Sequence, residues 1–201
     1  SKIRFSSIQN INLRKADIKT LKTIKQYTNF LQKLDPLEAK YYYASGQIER
    51  FLNNKLFALK NYLKSLSLNP VNGECLQMIG MLVSEKGNIT LAEKLLLAGI
   101  KYDRNNPKRY RSYAVWLSIN DRREESIEIF KKAIQLEPKN TKLYIALMTL
   151  YGFTNKEIKK ALPEKGLPYL QFGEYLEHIG EDTMAEEVFL SALIFFNSEH
   201  D

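Results

Sequence analysis

The residues best suited to chemistry are few. His178 follows Glu174 by four positions, and a carboxylate and an imidazole at that spacing on one helix can form half of a metal site. The other interpretation, which we favour, is a hydrated polar face that includes Glu177. Cys75 is the only cysteine, which excludes an intramolecular disulfide and a cysteine-rich metal site. It has no histidine near it in sequence, so we interpret it as a small packing residue.

Sequence motifs for catalysis or nucleotide binding are absent. The sequence lacks GxGxxG, GxxxxGK[ST], HExxH, GxSxG and paired-cysteine metal motifs. Because a nucleophile, a general base and an anion hole are all missing from its patterns, we predict that the chain is not an enzyme. We also predict that it holds no metal and no cofactor.

Charge is distributed unevenly along the 201 residues. Residues 1–34 carry eight Lys or Arg and one Asp, giving +7, whereas residues 164–201 carry one Lys and nine carboxylates, giving −8. A molecule with basic and acidic ends can stack head to tail or select partners by electrostatic steering. Since no run reaches 18 apolar residues, we expect a soluble domain, cytoplasmic or periplasmic. The start at Ser1 rather than Met leaves open whether the chain is part of a longer protein.

A 34-residue repeat organises most of the chain. The triplets LDP, LNP and LEP end at Pro36, Pro70 and Pro138, with spacings of 34 and 68 residues. In units that begin at residues 39, 73, 107 and 141, small residues share three positions: Gly46, Gly80 and Ala114; Ala58, Ala92 and Ser126; Ser65, Gly99 and Ala133. Residues that tolerate a left-handed backbone share another position: Asn53, Gly87, Asp121 and Asn155. This pattern predicts two helices per unit, with Gly80 facing its own partner helix and Gly99 facing the neighbouring unit.

The pattern resembles the tetratricopeptide repeat (TPR) family, which has an aromatic residue at position four and small residues at positions eight, twenty and twenty-seven. The resemblance covers most of the chain and implies an all-α fold, an α-solenoid of antiparallel helix pairs with about four and a half to five units. We expect complete units at residues 39–72, 73–106 and 107–140, and a further one at 166–199. Residues 141–165 form a truncated fourth unit, because Pro163 and Pro168 prevent a long second helix.

Residues 1–38 are predicted to form a basic N-terminal segment with a capping helix, ahead of the array at residues 39–201. One side of that helix carries a largely apolar stripe: Ile18, Leu21, Thr28, Leu31 and Leu34. Residues 1–14 are expected to be extended or to form an irregular helix. The basic helix also suggests a membrane surface, but its apolar stripe is needed for packing on the next unit.

In the TPR family the first helices of the units line a concave groove, and the resemblance implies which side chains face it. The predicted partner-binding residues are Tyr43, Gln47, Arg50, Gln77, Met81, Lys108, Arg111, Val115, Lys142, Ile145 and Phe153. The cationic members suit carboxylates, so we predict a protein or peptide partner of acidic character. The alternative is a set of ordinary hydrated charges. Basic residues near Tyr110 and Tyr113 would also suit nucleic acid, but those tyrosines occupy packing positions, which disfavours that partner.

Ile194 and Phe196 occupy positions that are polar in the earlier complete units. Since solenoid ends normally present a polar face, we predict that both side chains contact a further unit, a partner or a second copy. The last of these would be a homo-oligomer through the C-terminal helix. We therefore predict a non-catalytic protein–protein interaction scaffold in bacterial envelope or surface-structure assembly. The alternative is a regulatory or substrate-docking domain of a larger, membrane-bound polysaccharide or glycosyl-transfer enzyme.

Overall fold

The fold is all-α in the part of the chain that the computed structural model describes, residues 16–198. The predicted conformation of residues 1–14 lies outside that range. Eleven α-helices and one 3-10 turn, Pro138–Asn140, make up the regular structure of the described residues. The α-helices are α1 (Ile18–Leu34), α2 (Ala39–Phe51), α3 (Lys55–Leu68), α4 (Gly73–Ser84), α5 (Ile89–Tyr102), α6 (Pro107–Ile119), α7 (Arg123–Leu136), α8 (Thr141–Leu150), α9 (Asn155–Lys160), α10 (Gly166–His178) and α11 (Asp182–Ser198).

The chain divides into two compact units, which we call unit 1, ending at Tyr102, and unit 2, beginning at Asp103. The helices α1 to α5 belong to unit 1, and α6 to α11 belong to unit 2. The helix α1, which precedes the array predicted at residues 39–201, packs on α2. Lys25 of α1 lies 2.8 Å from Glu49 of α2, and Gln32 donates a 2.8 Å hydrogen bond to Ser45.

The buried side of α1 agrees only in part with the predicted stripe. Leu21, Thr28 and Leu31 are buried as predicted, but Ile18 and Leu34 near the two ends of the helix are exposed. Ile24 is buried in their place, because it lies on the same side of the helix as Leu21 and Leu31.

The helices pack in antiparallel pairs, α2 with α3, α4 with α5, α6 with α7 and α10 with α11, which confirms the predicted fold. Asparagine side chains start two of the first helices: Asn72 accepts from the Cys75 amide and Asn106 from the Lys108 amide. Asn53 and Asp121, with φ of 61° and 58°, form the turn between the two helices of their pairs.

Glycines let the paired helices approach closely in both units. A Cβ on Gly46 would lie 2.5 Å from the Tyr62 ring, and one on Gly173 would overlap the Phe189 ring. Each of these aromatic rings therefore packs directly on the backbone of the partner helix. Gly80 faces its own partner helix as predicted, since a Cβ there would lie 3.1 Å from the Ala92 carbonyl oxygen.

The fourth 34-residue repeat, which contains α8 and α9, is truncated, as predicted. The six-residue helix α9 begins with a capping box, in which Thr154 and Glu157 satisfy each other's backbone amides, and Pro163 follows it. The prediction that Asn155 adopts a left-handed backbone at the turn is wrong, because α8 ends early, at Leu150. Gly152, with φ of 74°, forms that turn, and Asn155 is the first residue of α9.

Candidate functional site

The predicted groove residues of unit 1 lie on α2 and α4, and two of them, Tyr43 and Gln47, bond to each other. Gln47 donates a hydrogen bond to the Tyr43 hydroxyl, and Arg50 Nη1 lies 3.2 Å from Met78 Sδ. Burial, with a further contribution from Glu74, raises the pKa of Tyr43. The Tyr43–Glu74 and Arg50–Met78 contacts both join α2 to α4, so side chains of the unit occupy much of this face.

Gln77 does not face the groove, contrary to prediction. It is buried against α5, where its side chain donates a 3.4 Å hydrogen bond to the Leu96 carbonyl. Gly99 makes room for it, since a Cβ there would lie 2.5 Å from Gln77 Cγ. Gly99 therefore contacts the partner helix of its own pair. Its predicted contact with the neighbouring 34-residue repeat is wrong. Met81, another predicted groove residue, is half-buried.

Unit 2 contains an open groove between α8 and α10, with a volume of about 560 Å³. Two of the predicted residues, Lys142 and Ile145, line it. The Ile145 side chain forms part of its floor and is 1% exposed, whereas Leu150 at the end of α8 is 74% exposed. The complete lining is Lys142, Ile145, Ala146, Thr149, Leu150, Gln171, Glu174, Tyr175 and His178.

Polar groups of this groove bond across it. Lys142 Nζ lies 2.8 Å from Glu174 Oε2, and both side chains are exposed. The hydroxyls of Thr149 and Tyr175 are 3.2 Å apart, and the Lys142 amide donates to Gln171 Oε1 at 3.1 Å. The carbon atoms of Ile145, Ala146, Leu150 and Tyr175 supply the rest of the surface. This arrangement can take up an apolar side chain, with an ion pair beside it.

The helix α6 carries three more predicted residues in unit 2. Lys108 is exposed, while Arg111 and Val115 are half-buried. Val115 packs against the same core cluster as Ile145. Arg111 lies near Tyr144 of α8, where its charge partly offsets the rise in the Tyr144 pKa that burial and Glu137 cause.

Phe153 is buried, which corrects its predicted role in the groove. Its ring packs edge-on against Phe130, with 6.2 Å between ring centroids, and the Arg123 guanidinium lies 4.3 Å from its centre. The reason is that α8 stops at Leu150, so residue 153 falls in the turn to α9 and not on the groove side of a helix.

Four residues of α10 in the groove escaped the sequence prediction: Gln171, Glu174, Tyr175 and His178. Two of them carried a usable signal. Glu174 and His178 occupy positions nine and thirteen of the repeat that begins at Gly166, the positions that the predicted groove residues Gln47 and Phe153 hold in their own repeats. In residues 16–198, no cluster of three or more His, Cys, Asp or Glu side chains could hold a metal ion.

The predicted end interface divides into one exposed and one packed residue. Ile194 is exposed on α11. Phe196 packs on Gly166, because a Cβ on that glycine would overlap its ring. Phe196 therefore packs within the α10–α11 pair but remains half-buried, and its contact with a further unit, a partner or a second copy stays a prediction.

Cys75 behaves as a packing residue. The thiol is buried and donates a 3.1 Å hydrogen bond to the Tyr62 carbonyl. Burial raises its pKa to about 11, so the thiolate that reacts as a nucleophile is disfavoured.

Across residues 16–198, helices long and apolar enough to span a bilayer are absent.

Paired helices with small residues at their contacts, and a groove between first helices, define a helical repeat protein. Residues 117–140 match the tetratricopeptide repeat family model. Among solved structures, MamA is 14% identical over 100% of this chain and 99% of its own, with a TM-score of 0.55. Yeast Tom70 is 17% identical over 94% of this chain, which spans 41% of the Tom70 chain, with a TM-score of 0.59.

A further structure is that of YrrB, described as a TPR protein with an unusual peptide-binding site. It is 17% identical over 84% of this chain and 82% of its own, with a TM-score of 0.52. No curated protein sequence matches the chain. At these identities the structures show the fold, and with the matched repeat they support a tetratricopeptide repeat protein, which confirms the resemblance found in the sequence. Folds of this kind are typically non-catalytic interaction modules.

Proposed function

We propose that the chain is a non-catalytic scaffold that binds a segment of a partner protein in the groove between α8 and α10. The observation that carries this proposal is the open, largely apolar groove of about 560 Å³, which has the size and lining of ordinary binding sites. Ile145 provides the buried floor, and the exposed Leu150 provides an apolar rim. A leucine or aromatic side chain of the partner would be buried there, and the helices of unit 2 would not have to rearrange to admit it.

The cations of α8 and α6 favour an acidic partner segment. Lys142 stands at the groove itself, and Lys108 and Arg111 lie on α6 of the same unit. The Lys142–Glu174 ion pair is exposed and therefore weak, so a partner carboxylate can replace Glu174 at small cost. An acidic segment would thus place its apolar side chain in the groove and its carboxylates near these cations.

The experiment is a titration with short fluorescein-labelled peptides, measured by fluorescence anisotropy. The first peptide carries alternating acidic residues around a single leucine. One matched peptide replaces the leucine by serine, and another replaces the acidic residues by lysine. We expect saturable binding of the first peptide and weaker binding of both matched peptides.

Two variants locate the binding. Ala146→Phe places a ring in the groove, and the Lys108→Glu, Arg111→Glu double variant reverses the neighbouring charge. Both should weaken binding of the acidic leucine peptide, and the charge reversal should leave the lysine peptide bound no more weakly than before. Equal binding of all three peptides by the parent chain, or unchanged binding by both variants, would overturn the proposal.

The biological setting of this binding is proposed from the sequence resemblance. It is bacterial envelope or surface-structure assembly, or alternatively a docking role within a larger polysaccharide or glycosyl-transfer enzyme. Both settings use the same groove. The gene sequence upstream of the Ser1 codon separates them, since membrane spans or a catalytic motif there would favour the enzyme.

A further inference from the structure

The helix α11 presents an exposed apolar face. Leu190, Leu193 and Ile194 are 63%, 60% and 65% exposed, respectively. Their spacing of three and four residues places them on one side of the helix. Adjacent exposed leucine and isoleucine side chains of this kind mark an interaction surface more often than scattered ones do.

The same face of α11 is acidic toward its start. Asp182 and Glu186 precede Leu190 by eight and four residues, which places them on the side that carries the apolar residues. The helix α11 contains no Lys or Arg. Its outer face therefore combines an apolar half with an acidic half.

The exposed face of α1 in unit 1 has the complementary composition. Phe30 and Leu34 are 59% and 71% exposed and lie four residues apart on one side. Lys19, Lys22 and Lys33 are exposed on or beside that side. The fourth lysine of the helix, Lys25, points instead to Glu49 of α2.

We propose that the α11 face of one copy of this chain packs on the α1 face of a second copy. The spacing of the residues matches in a parallel alignment. From Asp182 to Leu190, and from Lys22 to Phe30, the distance along the helix is eight residues, about 12 Å. In that alignment Leu190 and Ile194 meet Phe30 and Leu34, and the acidic half of α11 meets the basic half of α1.

Charge complementarity favours α1 of a second copy as the helix that covers the exposed face of α11. A pair of α11 helices would bring together two acidic faces without a cation on either helix, whereas α1 supplies lysines and an apolar pair at matching spacing. Each copy carries both faces. The contact is therefore heterologous and can add a third copy as readily as a second. This proposal does not depend on the groove between α8 and α10.

The test is the mass of the full chain in solution, measured by sedimentation equilibrium over a wide concentration range at low and high salt. We expect the average mass to rise with concentration and the association to weaken with salt, because exposed charges are screened. A chain that stays monomeric under all these conditions would overturn the proposal.

Three variants identify the two faces. The first is Asp182→Lys with Glu186→Lys on α11, the second is Lys19→Glu with Lys22→Glu on α1, and the third is Leu190→Ser with Ile194→Ser. Each alone should weaken association at least about tenfold. Leu56→Ser, which removes a leucine of similar exposure from α3, is the matched control and should leave association unchanged.

Mixing the two charge-reversed variants is the decisive step. Each retains one parent face, so the mixture should associate more tightly than either variant does alone. That recovery also shows that both variants are folded, which circular dichroism checks independently. If the α1 variant associates like the parent chain and the mixture shows no recovery, α11 binds something other than α1 and the proposal is wrong.

Discussion

Each compact unit has a face formed by the first helices of two successive repeats, α2 and α4 in unit 1 and α8 and α10 in unit 2. The two faces differ in the side chains that occupy them. Between α2 and α4, Arg50 contacts Met78 and Tyr43 contacts Glu74, whereas α8 and α10 enclose a groove of about 560 Å³. The equivalent positions, 102 residues apart, are Tyr43 and Ile145, Gln47 and Thr149, and Arg50 and Gly152. The residue of unit 2 is smaller in each pair. The repeat register thus decides which residues share a face, and side-chain size decides whether that face is filled or open.

Helix length adds to this difference. The helix α2 has 13 residues and reaches Arg50, which bonds to Met78 on α4. The helix α8 has 10 residues and ends at Leu150, so the equivalent of Arg50 is Gly152 in the following turn. The end of the groove that an arginine would cover is therefore left open.

The largest expected effect concerns packing that the two units have in common. Gly46→Leu in unit 1 and Gly173→Leu in unit 2 should each lower the free energy of unfolding by about 1–3 kcal/mol, because the new side chain would overlap an aromatic ring. Urea denaturation followed by circular dichroism measures both. Gly180→Asn, at a turn with φ of 80° and no heavy atom within 4 Å of the added Cβ, is the control and should cost less. A loss confined to one unit would show that the pairs are packed differently.

Filling the groove is the next test of the comparison. Ala146→Phe should reduce the affinity for an acidic leucine peptide at least about tenfold, which is 1.4 kcal/mol, because the ring takes the place of the peptide side chain. The matched variant Ala44→Phe changes the equivalent position of unit 1. Fluorescence anisotropy should show parent-like affinity for it. Equal losses in the two variants would contradict the difference between the faces.

The short helix α9 is held by an ion pair whose counterpart in unit 1 is more exposed to solvent. Arg123 lies 3.0 Å from Glu157, donates to the Gly152 carbonyl and covers Phe153. Its hydrogen bond holds the pKa of Glu157 at about 2, below the usual 4.5. Since the folded-state pKa is lowered, the stabilisation is present above pH 4.5 and is lost as the pH falls toward 2. Because both side chains remain partly exposed, we expect only about 1 kcal/mol at neutral pH.

Thermal melts of Glu157→Gln across this pH range measure that contribution. The variant should be less stable than the parent chain at neutral pH, and the difference should shrink as the pH falls from 4.5 toward 2. The control is Glu85→Gln in unit 1, whose partner Lys55 occupies the same repeat position as Arg123. That pair is more exposed, so the change should be smaller. A pH-independent difference for Glu157→Gln would rule out the ion pair as its cause.

The smallest effect is expected at the mouth of the groove. Lys142→Ala removes an exposed ion pair with Glu174, so the free energy of unfolding should change by no more than about 0.5 kcal/mol. The affinity for the acidic leucine peptide should fall about twofold to fivefold, and added salt should reduce that difference. A loss as large as that of Ala146→Phe would mean that charge, rather than the apolar groove, provides most of the binding.

The repeat pattern predicts the helix pairs because glycines, turn residues and prolines act locally. The positions of individual side chains depend on tertiary contacts, which the repeat register does not contain. Gln77 packs on Gly99, Phe153 lies beneath the Arg123 guanidinium, and Phe196 packs on Gly166. In each case a small residue or a turn leaves space in which a large side chain packs.

The open groove itself could be predicted in part from the sequence. Smaller residues at three equivalent positions of the fourth unit are visible in the 34-residue register. Glu174 and His178 also stand at groove positions of the last unit. What the register does not give is the early end of α8, because the contacts of Arg123 with the following turn join residues far apart in sequence.

Methyl NMR during titration with the acidic leucine peptide tests the central claim most directly. The methyl groups of Ile145, Ala146 and Leu150 report on the groove of unit 2, and those of Met78 and Met81 report on the filled face of unit 1. We predict saturable shifts of the first three and unchanged positions of the two methionines. Shifts concentrated at Met78 and Met81, or no saturable shift at either set, would contradict the account.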